Sequence, residues 1–239
     1  NYARYSFEAV YGRDYTLQDA EGLCSDVKTR IVPLNNDIWY MDVAQESYDS
    51  LDLVEESSTE DILACVGRTV RSVNPELGEI FRYMQDNELY DIQSGEDGQD
   101  RMDNNYTVGL PSYGDAFIFI NRNHTFTDYQ SLIHEFGHFS SYYYNSVPEL
   151  FQGYSVDVCE VQSQGLEMLV NQYAGDMFGE GAEAFEFETV TDMLYVIIMS
   201  CMLQEFEEAV YMDPDMSLED MNRTFKEIQD SYHGWYFDV

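Results

Sequence analysis

The pentapeptide His134-Glu135-Phe136-Gly137-His138 constrains the structure of this chain more than any other part of its sequence. Four residues of an α-helix turn through about 400°, so His134 and His138 project from nearly one face, one turn apart. Two neutral imidazoles at this spacing can bind one cation. Glu135 is rotated by about 100° from His134, which lets its carboxylate hold a water beside the cation without becoming a ligand. The pattern therefore predicts a helix with a metal site and a general base.

A catalytic zinc site usually takes three protein ligands and keeps one position open, so a third donor is needed. In the metzincin layout a third histidine lies six residues beyond His138, but this chain has Tyr144 there, and that layout is excluded. The remaining route is a glutamate on a second helix, and Glu160 lies 22 residues after His138. We predict that His134, His138 and Glu160 bind one Zn²⁺ ion and that Glu135 is the catalytic base.

The segment around Glu160 offers support for the metal ligands as well. A helix predicted from about Val156 to Tyr173 places Glu167 roughly two turns beyond Glu160 on the same face. Glu167 or Gln164 can orient a histidine ligand through a hydrogen bond. A solvated surface carboxylate is an equally ordinary role for Glu167, and both interpretations stay open.

The run Thr127 to His138 (TDYQSLIHEFGH) and the later segment CEVQSQGLE resemble the M3 family of zinc oligopeptidases, the group of thimet oligopeptidase and oligoendopeptidase F. Glu160, Ser163 and Gln164 match a family segment of the form E-x-x-S-Q. The resemblance implies a gluzincin site in a zincin-like metallopeptidase catalytic domain, mainly α with a small antiparallel β-sheet next to the active-site helix. It also implies hydrolysis of internal bonds in short oligopeptides.

The resemblance is specific over residues 113 to 167 and looser over most of residues 1 to 175. The family's late Tyr/His-rich segment, which contacts substrate and stabilises the oxyanion, has no counterpart before Val239, so we expect this substrate-binding segment to be lacking. Tyr232 and His233 are weaker candidates for the oxyanion donor. The competing hypothesis is a truncated or diverged, non-catalytic zinc-binding or interaction module, and reaction on another acyl compound also stays open.

The length suits one large domain, residues 1–239, which the resemblance implies is catalytic, and hydrophobic periodicity predicts that it is made mostly of helices. Its predicted parts are a helical region at 1–88, a small sheet at 89–121, the metal-site helices at 127–174 and C-terminal helices at 181–232. Thr16 with Asp19, and Thr127 with Gln130, have the spacing of helix-capping pairs. We therefore expect the metal helix to begin at a capping box formed by Thr127.

The apolar run from Ala116 to Ile120 lies just before the metal helix and predicts a β-strand. We interpret it as an edge strand whose free backbone groups pair with an extended peptide, with Gly114, Ala116 and Phe117 as substrate-binding candidates. A buried central strand is an equally good interpretation of the same run. Gly137 weakens the metal helix by about 1 kcal/mol relative to Ala, and we expect the edge strand to approach closely at this point.

Composition limits the partners and the location. The chain has 46 acidic and 11 basic residues, a net charge of −35, which argues against nucleic acid and anionic membranes as partners. Short peptides are the partners that the family resemblance implies. The acidity is typical of a solvated coat, although it also suits cationic substrates. No apolar run is long enough to span a membrane. Cys24, Cys65, Cys159 and Cys201 form no Cys-x-x-Cys pair and are interpreted as buried thiols. A cytoplasmic location is favoured over secretion, and the oligomeric state is left undetermined.

Overall fold

The computed structural model describes residues 2, 7, 13–95, 101–102, 104–145 and 156–232. Most of the predicted helical region before residue 13, and the candidate His233, lie outside the described residues. Contacts divide the chain into two compact units. Residues 43–189 form the first, called the site unit here, and residues 1–42 with 190–239 form the second, called the flanking unit.

Helices make up most of the described residues. They are α1 (Leu17–Asp26), α2 (Val32–Trp39), α3 (Gln45–Asp52), α4 (Thr59–Val73), α5 (Pro75–Asp86), α6 (Thr127–Tyr144), α7 (Val161–Asn171), α8 (Ala174–Phe178), α9 (Ala182–Met212) and α10 (Leu218–Ser231). A π-helical segment, Val27–Ile31, joins α1 to α2. Within the described residues, no helix combines the length and the apolar character that crossing a bilayer requires.

The site unit contains a mixed sheet of three strands, β1 (Tyr90–Ser94), β2 (Tyr106–Leu110) and β3 (Asp115–Arg122), in the order β1-β3-β2. Strands β2 and β3 form an antiparallel hairpin, as predicted for the whole sheet, but β1 runs parallel to β3. The reason is topological. Strand β3 lies between β1 and β2. A tight hairpin turns the chain back after β2, so β3 runs antiparallel to β2, and in this direction it is parallel to β1.

The position of β3 corrects the edge-strand interpretation of the run from Ala116 to Ile120. Both sides of β3 are paired, with β1 and with β2, so its backbone cannot accept an extended peptide. Ala116, Ile118 and Ile120 are at most 1% exposed. Gly114 lies in the hairpin turn with a φ of 71°, and Phe117 pairs with Val108. The alternative of a buried central strand is correct, since β3 pairs on both sides and every second residue of it is buried.

The metal-motif helix α6 is anchored in the core of the site unit by its apolar residues. Leu132, Ile133, Phe136 and Phe139 are at most 1% exposed, as their helical spacing predicts. The rings of Phe136 and Phe81 of α5 meet edge to face with centroids 4.9 Å apart. Because these positions share one face of α6, the histidines of the motif lie towards another.

A buried ion pair fixes the beginning of α6. The Arg122 Nε donates to Asp128 Oδ2 at 3.0 Å, and the two side chains are at most 8% exposed. Arg122 also donates to Thr59 at the start of α4, and Asp128 accepts the backbone N–H of Asn123 at 3.0 Å. The end of β3, the first turn of α6 and the beginning of α4 are thereby held together.

The flanking unit has a small core of its own, built around α1, α9 and α10. Its buried residues are Cys24, Val27, Val32, Ile198, Cys201, Met202 and Tyr232. Lys28 pairs with Glu205 at 2.6 Å and lies 4.6 Å from the ring centre of Tyr232. Tyr232, a weaker candidate for the oxyanion donor, is 1% exposed in this core.

Candidate metal centre

Three ligand atoms from two elements converge at one point of the site unit. The Nε2 atoms of His134 and His138 lie 3.2 Å apart, and Glu160 Oε2 lies 3.2 Å from the first and 3.3 Å from the second. A tetrahedral zinc ion with bonds of about 2.0–2.1 Å has donors spaced by about 3.3 Å. The three residues therefore form a group that can hold a metal ion with little movement.

The group is accessible from solvent. The side chains of His134, His138 and Glu160 are 29%, 17% and 46% exposed, so none of them is sealed in the core. Three donors occupy three corners of a tetrahedron, and a fourth position would stay open to water or substrate. Structural zinc sites are closed by four protein ligands, whereas three protein ligands with an open position are typical of catalytic ones.

Glu160 reaches the histidines from the turn that precedes α7. It is the N-cap residue of that helix, which begins at Val161, five residues later than predicted. The Ser163 hydroxyl donates to Glu160 Oε2 at 2.7 Å, and the Cys159 Sγ lies 3.5 Å from Oε1. Burial raises the pKa of Glu160, but the hydrogen bond from Ser163 and the neighbouring histidines outweigh burial and leave the pKa below its ordinary value.

Gly137 allows α7 to come this close. A Cβ atom at position 137 would lie 2.5 Å from the Cα of Ser163 and 2.9 Å from the carbonyl oxygen of Gln162. Both are backbone atoms, which cannot rotate away as the end of a side chain can. The expectation that a strand approaches at Gly137 was wrong, since the close partner is α7. Gly137 thus permits the short distance between α6, which carries the two histidines, and α7, at whose beginning Glu160 lies.

Glu167 contacts His134, the predicted metal ligand, which agrees with one of the two open interpretations. Its Oε1 atom lies 2.6 Å from His134 Nδ1, on the side of the ring opposite the Nε2 that faces Glu160. Burial lowers the pKa of His134, but the hydrogen bond and negative charge of Glu167 outweigh it and raise the pKa above its ordinary value. A carboxylate in this position holds the imidazole with Nε2 directed at the metal group.

Replacement of Glu167 by Gln is therefore expected to weaken Zn²⁺ binding by about 10- to 100-fold, the usual cost of losing a partner that orients a ligand. The affinity can be measured by competition with a chromophoric chelator. Glu79 is an exposed glutamate on α5, and Glu79→Gln is the matched control with the same change of charge. Equal zinc affinities in the two variants would show that Glu167 does not orient the ligand.

The predicted base Glu135 is buried on α6, with 5% of its surface exposed. Burial raises its pKa; the Thr107 hydrogen bond and the two histidines lower it, and the net pKa is above its ordinary value. The Thr107 hydroxyl, on β2, lies 2.7 Å from Glu135 Oε2 and 2.9 Å from the Glu135 carbonyl oxygen. Sequence analysis did not identify Thr107, because nothing in a strand 28 residues upstream specifies which helix residue it will contact.

The sequence matches no protein-family model and no curated protein. Solved structures are similar. One is described as an oligoendopeptidase F, with 24% identity and a TM-score of 0.75 over 98% of this chain. PZ peptidase A with an inhibitor has 24% identity and a TM-score of 0.76 over 94%. An oligoendopeptidase F from Bacillus anthracis has 23% identity and a TM-score of 0.74 over 92%.

These likenesses show the fold and confirm the predicted class, a mainly α zincin-like domain with a small sheet beside the metal helix. The chain spans 42% of the length of each of these three solved chains. The activities that their names carry belong to those proteins, and for this chain they bear on function only as proposals.

Proposed function

We propose that this protein is a zinc-dependent endopeptidase of the M3 oligopeptidase kind, which hydrolyses internal bonds of short peptides. The observation that carries the proposal is the convergence of His134 Nε2, His138 Nε2 and Glu160 Oε2, which lie 3.2–3.3 Å from one another. The buried carboxylate of Glu135 lies on the same helix as the two histidines. When bound, zinc polarises the scissile carbonyl and brings the pKa of a water ligand towards about 7.

Two glutamates of the chain then have different roles in hydrolysis, proton transfer and orientation of a ligand. Glu135 accepts a proton from the attacking water while the water oxygen bonds to the carbonyl carbon. It then donates this proton to the amide nitrogen as the C–N bond breaks. A raised pKa suits this exchange, because the same carboxyl group must both take up and release the proton near neutral pH. Glu167 keeps the ring of His134 in its binding orientation throughout.

The edge of the sheet suggests how a peptide is held. Among the described residues, β2 pairs on one side with β3 and lies at the edge of the sheet next to α6. An extended peptide can pair with the backbone of such a strand, which provides affinity with little demand on side chains. The sequence predicted this role for the strand containing Ala116 and Phe117, but that strand is central, so we assign the role to Tyr106–Leu110.

The proposal is tested by metal dependence. The purified chain is incubated with internally quenched peptides, with a zinc chelator, and again after chelator removal and Zn²⁺ addition. We expect cleavage that the chelator abolishes and Zn²⁺ restores, and mass spectrometry should place the cut between internal residues. Cleavage that persists in excess chelator would contradict the proposal.

The alternative is a non-catalytic zinc-binding module, which would need only the same three ligands, His134, His138 and Glu160. The same experiment separates the hypotheses. Stoichiometric zinc without chelator-sensitive cleavage supports the binding module. Chelator-sensitive cleavage supports the enzyme.

A further inference from the structure

Strand β2 runs along α6, and its contacts with the helix recur at every second residue. The contacts come from residues 107 and 109 of the strand and from residue 105 directly before it, which share one face because side chains alternate along an extended chain. The contacts are Asn105 Nδ2 with Ser131 Oγ at 2.9 Å, Thr107 with Glu135, and Gly109 with the ring of Tyr142.

The approach at Gly109 is close, and a side chain there would force the Tyr142 ring to move. A Cβ atom at position 109 would lie 2.7 Å from the Tyr142 ring. Tyr106 and Val108 alternate with the contact residues and are exposed. Contacts on both sides of Thr107 thus fix the distance between its hydroxyl and α6.

The Thr107 hydroxyl has a single proton and two acceptors within reach, both on Glu135. Oε2 is the nearer acceptor, at 2.7 Å against 2.9 Å for the carbonyl oxygen. A hydrogen bond to an ionised acceptor is about twice as strong as one between neutral groups. When Glu135 is ionised, the Thr107 hydroxyl therefore donates its hydrogen bond to the carboxylate Oε2 and not to the carbonyl oxygen.

This hydrogen bond selects one orientation of the carboxylate. The terminal torsion of a glutamate is broad, so burial alone leaves the plane of the carboxylate free to turn. Among the described residues, Thr107 is the hydrogen-bond donor to the Glu135 carboxylate, and Oε1 accepts no hydrogen bond. Holding Oε2 leaves Oε1 for proton transfer.

We propose that Thr107 is a positioning residue that holds the Glu135 carboxylate by one oxygen so that the other can exchange the proton in peptide hydrolysis. The inference rests on the proposed function and adds to it a residue outside the metal motif. It also links the base to β2, the strand on which we place the peptide. A substrate that displaces β2 would then displace the base.

Kinetics of three variants test the proposal. Thr107→Val keeps the shape and removes the hydroxyl, and we expect kcat to fall by about 10- to 100-fold with KM and zinc affinity little changed. Thr107→Ser restores the hydroxyl and should recover most of kcat. Thr29→Val is the matched control, because it makes the same change at an exposed threonine of the flanking unit whose hydroxyl donates to the carbonyl oxygen of Ser25, and its kcat should equal that of the wild type. A kcat of Thr107→Val equal to wild type, or a loss that Thr107→Ser fails to recover, would overturn the proposal.

A second measurement does not depend on activity. The denaturant midpoints of unfolding of the metal-free wild type, Thr107→Val, Glu135→Ala and the double variant form a double-mutant cycle. We expect Thr107→Val to lower the midpoint in the wild type and to have much less effect in the Glu135→Ala background. Additive effects would mean that the contact does not form in solution and would refute the proposal.

The two measurements also separate this inference from the proposed function. Coupling in the cycle combined with a wild-type chain that cleaves no peptide would contradict the proposed function and leave the contact structural. Cleavage by the wild type without coupling would retain the peptidase and remove Thr107 from its mechanism.

Discussion

Replacement of Glu135 by Gln is expected to lower peptide hydrolysis by about 100- to 10,000-fold, the usual contribution of a general acid–base group. Gln has nearly the same shape and can still accept the Thr107 hydrogen bond, but its amide cannot take up the proton of the attacking water. Zinc affinity should stay close to that of the wild type, because Glu135 is not among the three converging ligands. The measurements are kcat/KM on a quenched peptide and zinc content after dialysis.

Glu79→Gln, purified in the same way, is the control for a contaminating protease and for the change of charge. It should cleave at the wild-type rate. If Glu135→Gln binds zinc and cleaves as fast as this control, the assigned base is wrong. If Glu135→Gln loses its zinc instead, Glu135 contributes to metal binding, and the role of general base would have to be reassigned.

Gly137→Ala is expected to cause the second large effect, on the metal site itself. The added methyl would lie 2.5 Å from the Cα of Ser163, so α6 and α7 must separate before the variant can fold. Overpacking of this kind costs about 1–3 kcal/mol. Zinc binding must then overcome the strain to bring Glu160 back to the histidines, so we expect affinity to fall by roughly 10- to 100-fold.

The matched control for this variant is Gly165→Ala on α7. A Cβ at position 165 meets nothing within 4 Å, so the methyl adds no clash and removes the helix penalty of glycine, up to about 1 kcal/mol. Gly165→Ala should therefore bind zinc normally and unfold at a slightly higher temperature. Equal zinc affinities in Gly137→Ala and Gly165→Ala would show that the spacing of the helices does not control the site.

Helix starts illustrate where local sequence was sufficient and where it was not. Thr16 and Asp19 form the predicted capping box of α1. Thr127 and Gln130 have a similar spacing, but α6 begins at Thr127 itself, and Gln130 donates to Thr189 instead. A capping box forms when both side chains are free to turn back. A residue that packs on a neighbouring helix is not free, and its sequence does not show this.

The ligand residues show the same division. The fold of α6 and the common face of His134 and His138 follow from helical periodicity, which depends on neighbouring residues in the chain. Glu160 was proposed from its distance along the chain and from a family resemblance, and the structure places it 3.2 Å from His134 Nε2. Its approach depends on the Gly137 contact, which was predicted with the wrong element.

The sequence alone thus determined the mainly helical class, the metal helix and the face that carries its histidines, because each of these depends on residues within a few turns of one another. Tertiary structure decided which strand lies at the centre of the sheet, which helix passes Gly137 and which hydroxyl meets Glu135. Those outcomes depend on contacts between segments far apart in the chain. Thr107 and Glu135 are 28 positions apart, and the geometry of the intervening hairpin, rather than a local pattern, sets that contact.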